Sequence, residues 1–502
     1  FADVYLNGSK VGEHEGGHLP FAFDITDQVR WDEENTLAIS VENVLKPSRV
    51  PSGDMPGAEL SMFASDPKTT YDFFPFSGIH RPVVLYSVPQ TCIADVTVVT
   101  GIHGTDGTVN VTVKLNEPVD GPGWAELKGG DGTLNAGLDF HGGEAQAKLE
   151  VPGAHLWSDK DPYLYDLTVA SESDQYSLKV GIRTITVDGG RILLNGQPVK
   201  MNGYGRHEDF IASGKGLNMP LLVKDYQLMR WTGANSYRTS HYPYSEEEMQ
   251  LADREGFLII DEIPAVSLQM ADEGNNPRRL RMCLQQIEEM IARDKNHPAV
   301  VMWCVANEPM PKGFGVGAPG ESDLSTEERN LPGKQFLDAE IAHARELDPT
   351  RLVTIVTVMG GPQNWMENCD VLCLNRYWGW YTLGGQLDTA REKLGNELDQ
   401  VWNRFHKPII MTEFGADTIA GYHGKPDVMW TEDYQADYIR FHMEEAAARD
   451  FVAGMQVWNF ADFAAVQSIM RVGGLNHKGI FTRIRTPKMA AHVLREFWVE
   501  NK

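Results

Sequence analysis

The residues with most chemistry to offer close a series of apolar runs. Those run ends read Arg206-His207-Glu208, Ser240-His241, Asp261-Glu262, Asn307-Glu308, Asn375-Arg376-Tyr377, Glu413 and Trp458. Glu308 in "ANEP" and Glu413 in "TEFG" form a carboxylate pair that could divide acid and nucleophile roles. Any single carboxylate at such a place is equally a structural salt-bridge partner, but two of them suit cleavage of a glycosidic bond. One protonates the leaving oxygen while the other attacks the anomeric carbon, and a separation of about 5–5.5 Å gives double displacement with retention. The ionised nucleophile raises its neighbour's pKa, so the acid keeps its proton near neutral pH. Tyr377 could donate to the nucleophile and Asn307 could bond the sugar 2-hydroxyl. Trp303, Trp378, Trp380 and Trp458 could wall a sugar pocket or be simple core.

A second stretch, "VGGLNHKGIF" (472–481), sets His477 and Lys478 among glycines, with Arg471 before it and Arg483 and Arg485 after it. The whole chain carries a formal charge of -25. A local excess of cations there is either a solvated loop or a place for an anion.

These groups need elements to hold them. From residue 188 onward, strand-like runs alternate with helical ones: 199–204, 234–239, 257–262, 299–306, 351–357, 370–376, 408–413 and 453–460. In "LRMCLQQIEEMIARDKNHP", Leu280, Leu284, Ile287 and Ile291 recur at helical spacing and the helix ends before Pro298. Gly256 reads as a helix C-terminal cap. Eight strands with crossover helices predict a (β/α)8 barrel, whose reactive groups gather where the strands end. A doubly wound sheet is the structural alternative. "GVGAPG" (315–320) matches a phosphate-loop pattern, but its proline and its distance from the preceding strand make it a loop.

Residues 1–187 read as all-β, with alternating runs such as "TLAISVENV", "RPVVLYSV", "GTVNVTVKLN" and "YLYDLTVA" between Gly, Pro, Asn and Asp turns. Asn7-Gly8 reads as a hairpin turn. A break near Pro89-Gln90 separates residues 1–89 from an immunoglobulin-like sandwich at 90–187, ahead of the barrel at 188–502. With 45 basic against 70 acidic residues, nucleic-acid binding is not expected. No apolar run reaches the roughly 18–20 residues of a membrane span. The five cysteines lie mostly in apolar runs, which points to buried thiols in a reducing compartment. Cys369 and Cys373 lack a second ligand pair, so no metal is expected. Asn7-Gly-Ser9 and Asn110-Val-Thr112 match the glycosylation sequon, but a turn and a strand explain them better.

Long motifs then add a resemblance. "NSYRTSHYP" (235–243), "DKNHPAVVMWCVANEP" (294–309), "NRYWGWY" (375–381), "MTEFG" (411–415) and "VWNFADF" (457–463) resemble the catalytic barrel of glycoside hydrolase family 2. "GYGRHED" (203–209) and the Asn476-x-Lys478 motif are similar to its β-glucuronidase branch, over essentially the whole chain. The resemblance implies Glu308 as acid/base, Glu413 as nucleophile, Tyr377 as the nucleophile's support and Asn307 as a glycone-side contact. It implies that Asn476 and Lys478 hold the C6 carboxylate of glucuronic acid, with Arg471 and Tyr381 in the same pocket. Asp72 matches an aspartate that reaches from the β half toward a sugar hydroxyl, and His207 matches another glycone contact; of the candidate wall tryptophans, Trp458 is expected among the substrate-binding residues. A desolvated sugar carboxylate needs charged partners, and a site built for it rejects sugars that lack it.

The resemblance also implies a multidomain chain: a jelly roll, an immunoglobulin-like sandwich and a TIM barrel. Here the jelly roll is incomplete, about its first half being absent, which would expose sheet edges. The compact stretch 262–294 resembles bacterial members without a long active-site loop, so larger aglycones or sugar chains would be admitted. Leu475 lengthens the glycine-glycine to Asn476-x-Lys478 spacing by one residue. Further expectations are a cytoplasmic bacterial protein, small-molecule or oligosaccharide glucuronides as substrates, a homo-oligomer (dimer or tetramer) and no cofactor. A flavin bound away from the site stays open. A β-galacturonidase, another family 2 glycosidase and a non-catalytic carbohydrate-binding relative are the alternatives.

Overall fold

The computed structural model describes residues 1–54, 65–130, 132–313 and 324–500. The glycine-rich 315–320 motif lies outside the described residues.

Eight parallel strands close into a barrel: Met201–Arg206, Ser236–Thr239, Leu258–Glu262, Val300–Asn307, Leu352–Thr357, Leu372–Asn375, Ile409–Glu413 and Val452–Val457. Closure runs through the first and eighth strands, which pair in parallel from Met201↔Gly454 to Tyr204↔Val457. This excludes the doubly wound alternative. Both faces of these strands are covered, which is why the fourth, fifth and sixth are buried at every residue and read as near-continuous apolar runs.

The crossover helices carry their own start and stop signals. Asn218 accepts from Leu221 N at the start of Met219–Thr232, and Gly233 ends that helix at φ 88. Ser245 caps Glu246–Glu255, and Gly256, at φ 69, closes it as the sequence predicts. The amphipathic helix Asn276–Asp294 buries Met282, Cys283, Ile287, Met290 and Ile291, and stops short of Pro298.

In the β half, Ala2–Leu6 pairs with Ser9–His14 and with Leu37–Val41, and Asn7 and Gly8 make the expected tight turn at φ 52 and 85. A sandwich follows. One sheet holds Ile93–His103, Asp106–Leu115 and Glu144–Val151; the other holds Gln175–Val180, Tyr165–Ala170, Gly121–Gly129 and Gly132–Phe140. Alternate residues Val109, Val111, Val113, Leu127, Leu167 and Val169 fill the space between them. One expected strand does not form. "RPVVLYSV" (81–88) has strand composition, yet it pairs with no sheet, and Val84, Leu85 and Tyr86 are exposed. Alternation favours extended backbone, but a strand exists only where a neighbour supplies the ladder. All five cysteines are free and buried. No described helix is long and apolar enough to cross a membrane.

Candidate active site

Glu308 follows the last residue of the fourth barrel strand. Its N–H still reaches Val356 O at 2.8 Å, and its backbone sits in the left-handed region at φ 47. That conformation is costly for a glutamate, and such residues concentrate at functional sites. Its Oε1 accepts from Asn375 Nδ2 at 3.1 Å. Asn375 is in turn fixed by Thr412 Oγ1, which donates to its Oδ1 at 2.9 Å. Glu413 closes the seventh strand, in register with Asn375. Its Oε2 accepts from the Tyr377 hydroxyl at 2.7 Å, and its Oε1 accepts from Arg238 Nη2.

Arg238 is fully buried and divided between two acids, because its Nη1 also donates to Glu262 at 2.6 Å. His241 joins the cluster, with Nδ1 at 3.1 Å from Glu262 and Nε2 at 3.7 Å from Glu413. Asn307 Oδ1 sits between Arg238 Nη1 (3.4 Å) and Asn375 Nδ2 (3.3 Å). Two glutamates thus receive unequal treatment. Glu413 has a guanidinium and a hydroxyl, whereas Glu308 has one neutral amide. Burial, then the charge of Glu413, pushes the Glu308 carboxyl up to about 8. Burial and Glu413 likewise push the Tyr377 hydroxyl well above its usual 10.0, so it stays a donor.

A second cluster lies beside this pair. Lys478 is fully buried; its Nζ donates to Tyr381 OH at 2.9 Å and to Asp417 Oδ2. Asn476 Oδ1 accepts from Lys478 N at 3.0 Å, and its Nδ2 donates to Asp72 Oδ2 at 2.8 Å. Arg471 Nη2 donates to the same Asp72 oxygen at 2.6 Å. Desolvation pushes the Asp72 carboxyl up, but Arg471 and Asn476 outweigh it and hold it below its usual value. The Tyr377 and Tyr381 rings, 4.9 Å apart and edge to face, join the two clusters. Asp72 arrives from the β half on a segment stitched to the loop after the eighth strand: Val466 N donates to Asp72 O at 2.8 Å, and Phe73 bridges to Ala465.

The cationic stretch at 471–485 resolves into separate pairs. Arg483 pairs with Asp209 (2.6 Å), Arg485 with Asp225 (2.8 Å) and the nearby Lys488 with Asp462 (2.8 Å). Lys478 and Arg471 are the two that join the Tyr381 and Asp72 network. His477 turns away from this network, with Nε2 at 2.9 Å from Val472 O. The additional Leu475 pairs with Ala464 in a two-residue ladder, after a turn made by Gly473 and Gly474 at φ 64 and 71. Gly479 has no alternative: a Cβ there would stand 2.0 Å from Asp462 N.

His207 lies on the floor of the same region. Its Nδ1 is 3.1 Å from Tyr242 OH, and its buried Nε2 has no partner among the described residues. Trp458 stacks on His241 at 5.1 Å and meets His207 edge-on at 5.3 Å. Two of the four candidate wall tryptophans are core instead. Trp303 donates to Asp348 at 3.0 Å and Trp378 to Glu397 at 2.7 Å, both away from the carboxylate pair. Trp380 lies 5.5 Å from Lys478 Nζ by its ring centre.

His241, Glu262 and Asn375 stand at run ends where the sequence assigns them no role, and it assigns none to Arg238 or Asp417. Arg238 stood inside a quoted motif, and its charge was the usable signal. Asp417 sits four residues past Glu413, beyond the strand end. No group of three or more His, Cys, Asp or Glu that could hold a metal occurs among the described residues.

Residues 185–502 match "Glycosyl hydrolases family 2, TIM barrel domain", residues 81–183 match "Glycosyl hydrolases family 2", and residues 1–89 match its "sugar binding domain". The chain belongs to glycoside hydrolase family 2. It is 40% identical over 529 residues to β-glucuronidase of Rattus norvegicus, covering 99% of this chain and 76% of the rat protein. Among solved structures, β-D-glucuronidase of Dictyoglomus thermophilum aligns with TM-score 0.87 and 38% identity, over 99% of this chain and 85% of that one. Ruminococcus gnavus β-glucuronidase in complex with D-glucuronic acid aligns with TM-score 0.86 and 35% identity, over 99% and 83%. Both the barrel and the β half of this family 2 chain are therefore shared with its relatives.

Proposed function

We propose that the chain is a retaining β-glucuronidase that hydrolyses β-D-glucuronides through a covalent glycosyl-enzyme intermediate. The observation that carries this reading is the joining of two clusters by Tyr377 and Tyr381. One holds two buried glutamates, of which Glu308 has its carboxyl pushed up to about 8; the other holds a buried lysine, an arginine and an amide. Glu413, held by Arg238 and Tyr377, attacks the anomeric carbon. Glu308 donates its proton to the departing oxygen, then takes one from water to release the sugar. Lys478, Asn476, Arg471 and Tyr381 receive the sugar carboxylate. Asp72, His207, Asn307 and Trp458 contact the remainder of the ring.

Assay of aryl β-D-glucuronide, galacturonide, galactoside and glucoside tests the reading. Expected are preference for the glucuronide and loss of turnover in Glu413→Gln; preference for a neutral glycoside, or full activity in Glu413→Gln, would refute it. A galacturonide offers the same carboxylate, so its rate separates the nearest alternative. The short connection between the third strand and helix Asn276–Asp294 supports access for larger aglycones and glucuronate-ended sugar chains. The reading also carries a homo-oligomer, dimer or tetramer, in the cytoplasm of a bacterium; buried free thiols support a reducing compartment, and light scattering measures the assembly.

A further inference from the structure

A cavity of about 290 Å³ lies at the other end of the barrel from Glu308, where the sandwich meets the residues that precede the fourth and fifth strands. Arg183, Lys295 and Arg351 line it, with the threonines at 100, 184, 186 and 350, and no acidic residue contributes to its wall. In a chain with net charge -25 this is a local inversion of sign.

The two arginines converge on one atom. Arg183 Nη2 donates to Val300 O at 2.7 Å and Arg351 Nε donates to the same oxygen at 2.8 Å. Arg351 has a counter-ion, Asp348, at 2.8 Å, and its Nη2 donates to His297 O at 2.9 Å. Lys295 is matched by Asp95 at 2.6 Å. Arg183 has none. Its Nε donates to Pro298 O at 3.1 Å, its Nη1 donates to no described residue, and no described carboxylate lies within ion-pair distance. Arg183 is 6% exposed, and its Nη1 is the nitrogen that no described residue accepts from. Burial first, then the like charge of Arg351, disfavours its cation. A buried guanidinium without a counter-ion, beside a second guanidinium, is costly unless an anion completes it.

We propose that this cavity is a binding site for a small oxyanion of the phosphate class, either inorganic phosphate or a compact phosphate monoester. Nη1 of Arg183 is left to donate to an oxyanion, and the hydroxyls of Thr184 and Thr186 can serve its remaining oxygens, that of Thr100 being already given to Arg183 O at 2.7 Å. The volume exceeds what a halide would fill and leaves room for a few further atoms. The bound anion bridges the sandwich, through Arg183, to the barrel, through Arg351, and so fastens the two without touching the carboxylate pair.

Titration calorimetry on the full chain at fixed ionic strength, with inorganic phosphate, glycerol 3-phosphate and chloride, tests the site. Expected is saturable binding of one or both phosphates, with a rise in Tm that chloride does not reproduce. Arg183→Gln should weaken binding about ten-fold or more, the scale of one charge-assisted hydrogen bond. Because Arg183 also supports two carbonyls, Thr186→Glu is the second variant. Thr186 is exposed on its strand, and a carboxylate there repels the anion without disturbing the core. Phosphate and glycerol 3-phosphate that bind no better than chloride would overturn the proposal. So would Thr186→Glu binding phosphate as tightly as the parent.

Discussion

Glu308 and Glu413 are the same residue type made to differ by what surrounds them. Glu308 is pushed up to about 8 from 4.5, so at pH 7 it holds the proton that a leaving oxygen needs. As pH rises through about 8 that proton is lost, and kcat/KM for glucuronides with poor leaving groups is expected to fall. Glu308→Gln should lose roughly 10²- to 10⁴-fold with such substrates and much less with an activated aryl leaving group, and its alkaline limb should vanish. A pH–rate profile of both forms checks this. Lys478→Ala should cost the glucuronide reaction on the order of 10³-fold or more in kcat/KM while leaving neutral glycosides near their low basal rates. It also strands Asp417, a 1%-exposed carboxylate, without its ammonium. Parallel assays of the two substrate classes measure the selectivity.

Between helices the molecule buries a carboxyl that has no ion pair among the described residues. Glu340, on helix Leu331–Leu347, faces helix Asn276–Asp294 with no exposure, set against the weak thiol donor of Cys283 and no stronger partner among the described residues. Burial pushes its carboxyl well above the usual 4.5. The folded chain then binds this proton more tightly than the unfolded chain. Its effect on stability is least harmful below pH 4.5 and grows worse as pH rises toward the folded value. Glu340→Met, close in volume and without the polar atoms, should raise stability at pH 8 by about 1–3 kcal/mol. Urea denaturation at pH 5 and pH 8 should show the gain shrinking at the lower pH.

At the scale of the whole chain, the β half and the barrel are joined by side chains standing in for backbone. Asn296, in the turn before the fourth barrel strand, accepts from Val98 N at 2.9 Å and donates to Val96 O at 2.7 Å. Strand Ile93–His103 is an edge of its sheet, so the asparagine amide completes its ladder there. Asn296→Ala removes both bonds and should cost about 1–3 kcal/mol, read as a lowered midpoint in thermal or urea unfolding. On the other side of the barrel, Arg81 grips both oxygens of Glu208 at 2.7 Å, and Asp72 reaches Arg471 and Asn476. The β half therefore supplies part of the candidate site.

The barrel, the turn at Asn7-Gly8, the cap at Gly256 and the positions of Glu308 and Glu413 were legible in the sequence. Each is a local matter: a period of apolar residues, a turn residue, or a polar residue where a strand must stop. Partnership was not legible. Asp72 meets Arg471 across 399 positions, and Arg238 meets Glu413 across 175. Neither spacing has a period that a sequence reading could detect. For the same reason "RPVVLYSV" read as a strand, because composition records a preference for extended backbone and says nothing of a neighbour. The cations of 471–485 could be counted from the sequence, but their aspartates at 72, 209, 225, 417 and 462 could be assigned only once the chain was folded. That Glu308 keeps its proton near neutral pH was likewise decided by tertiary structure, since its burial and then the nearby charge of Glu413 push its carboxyl up.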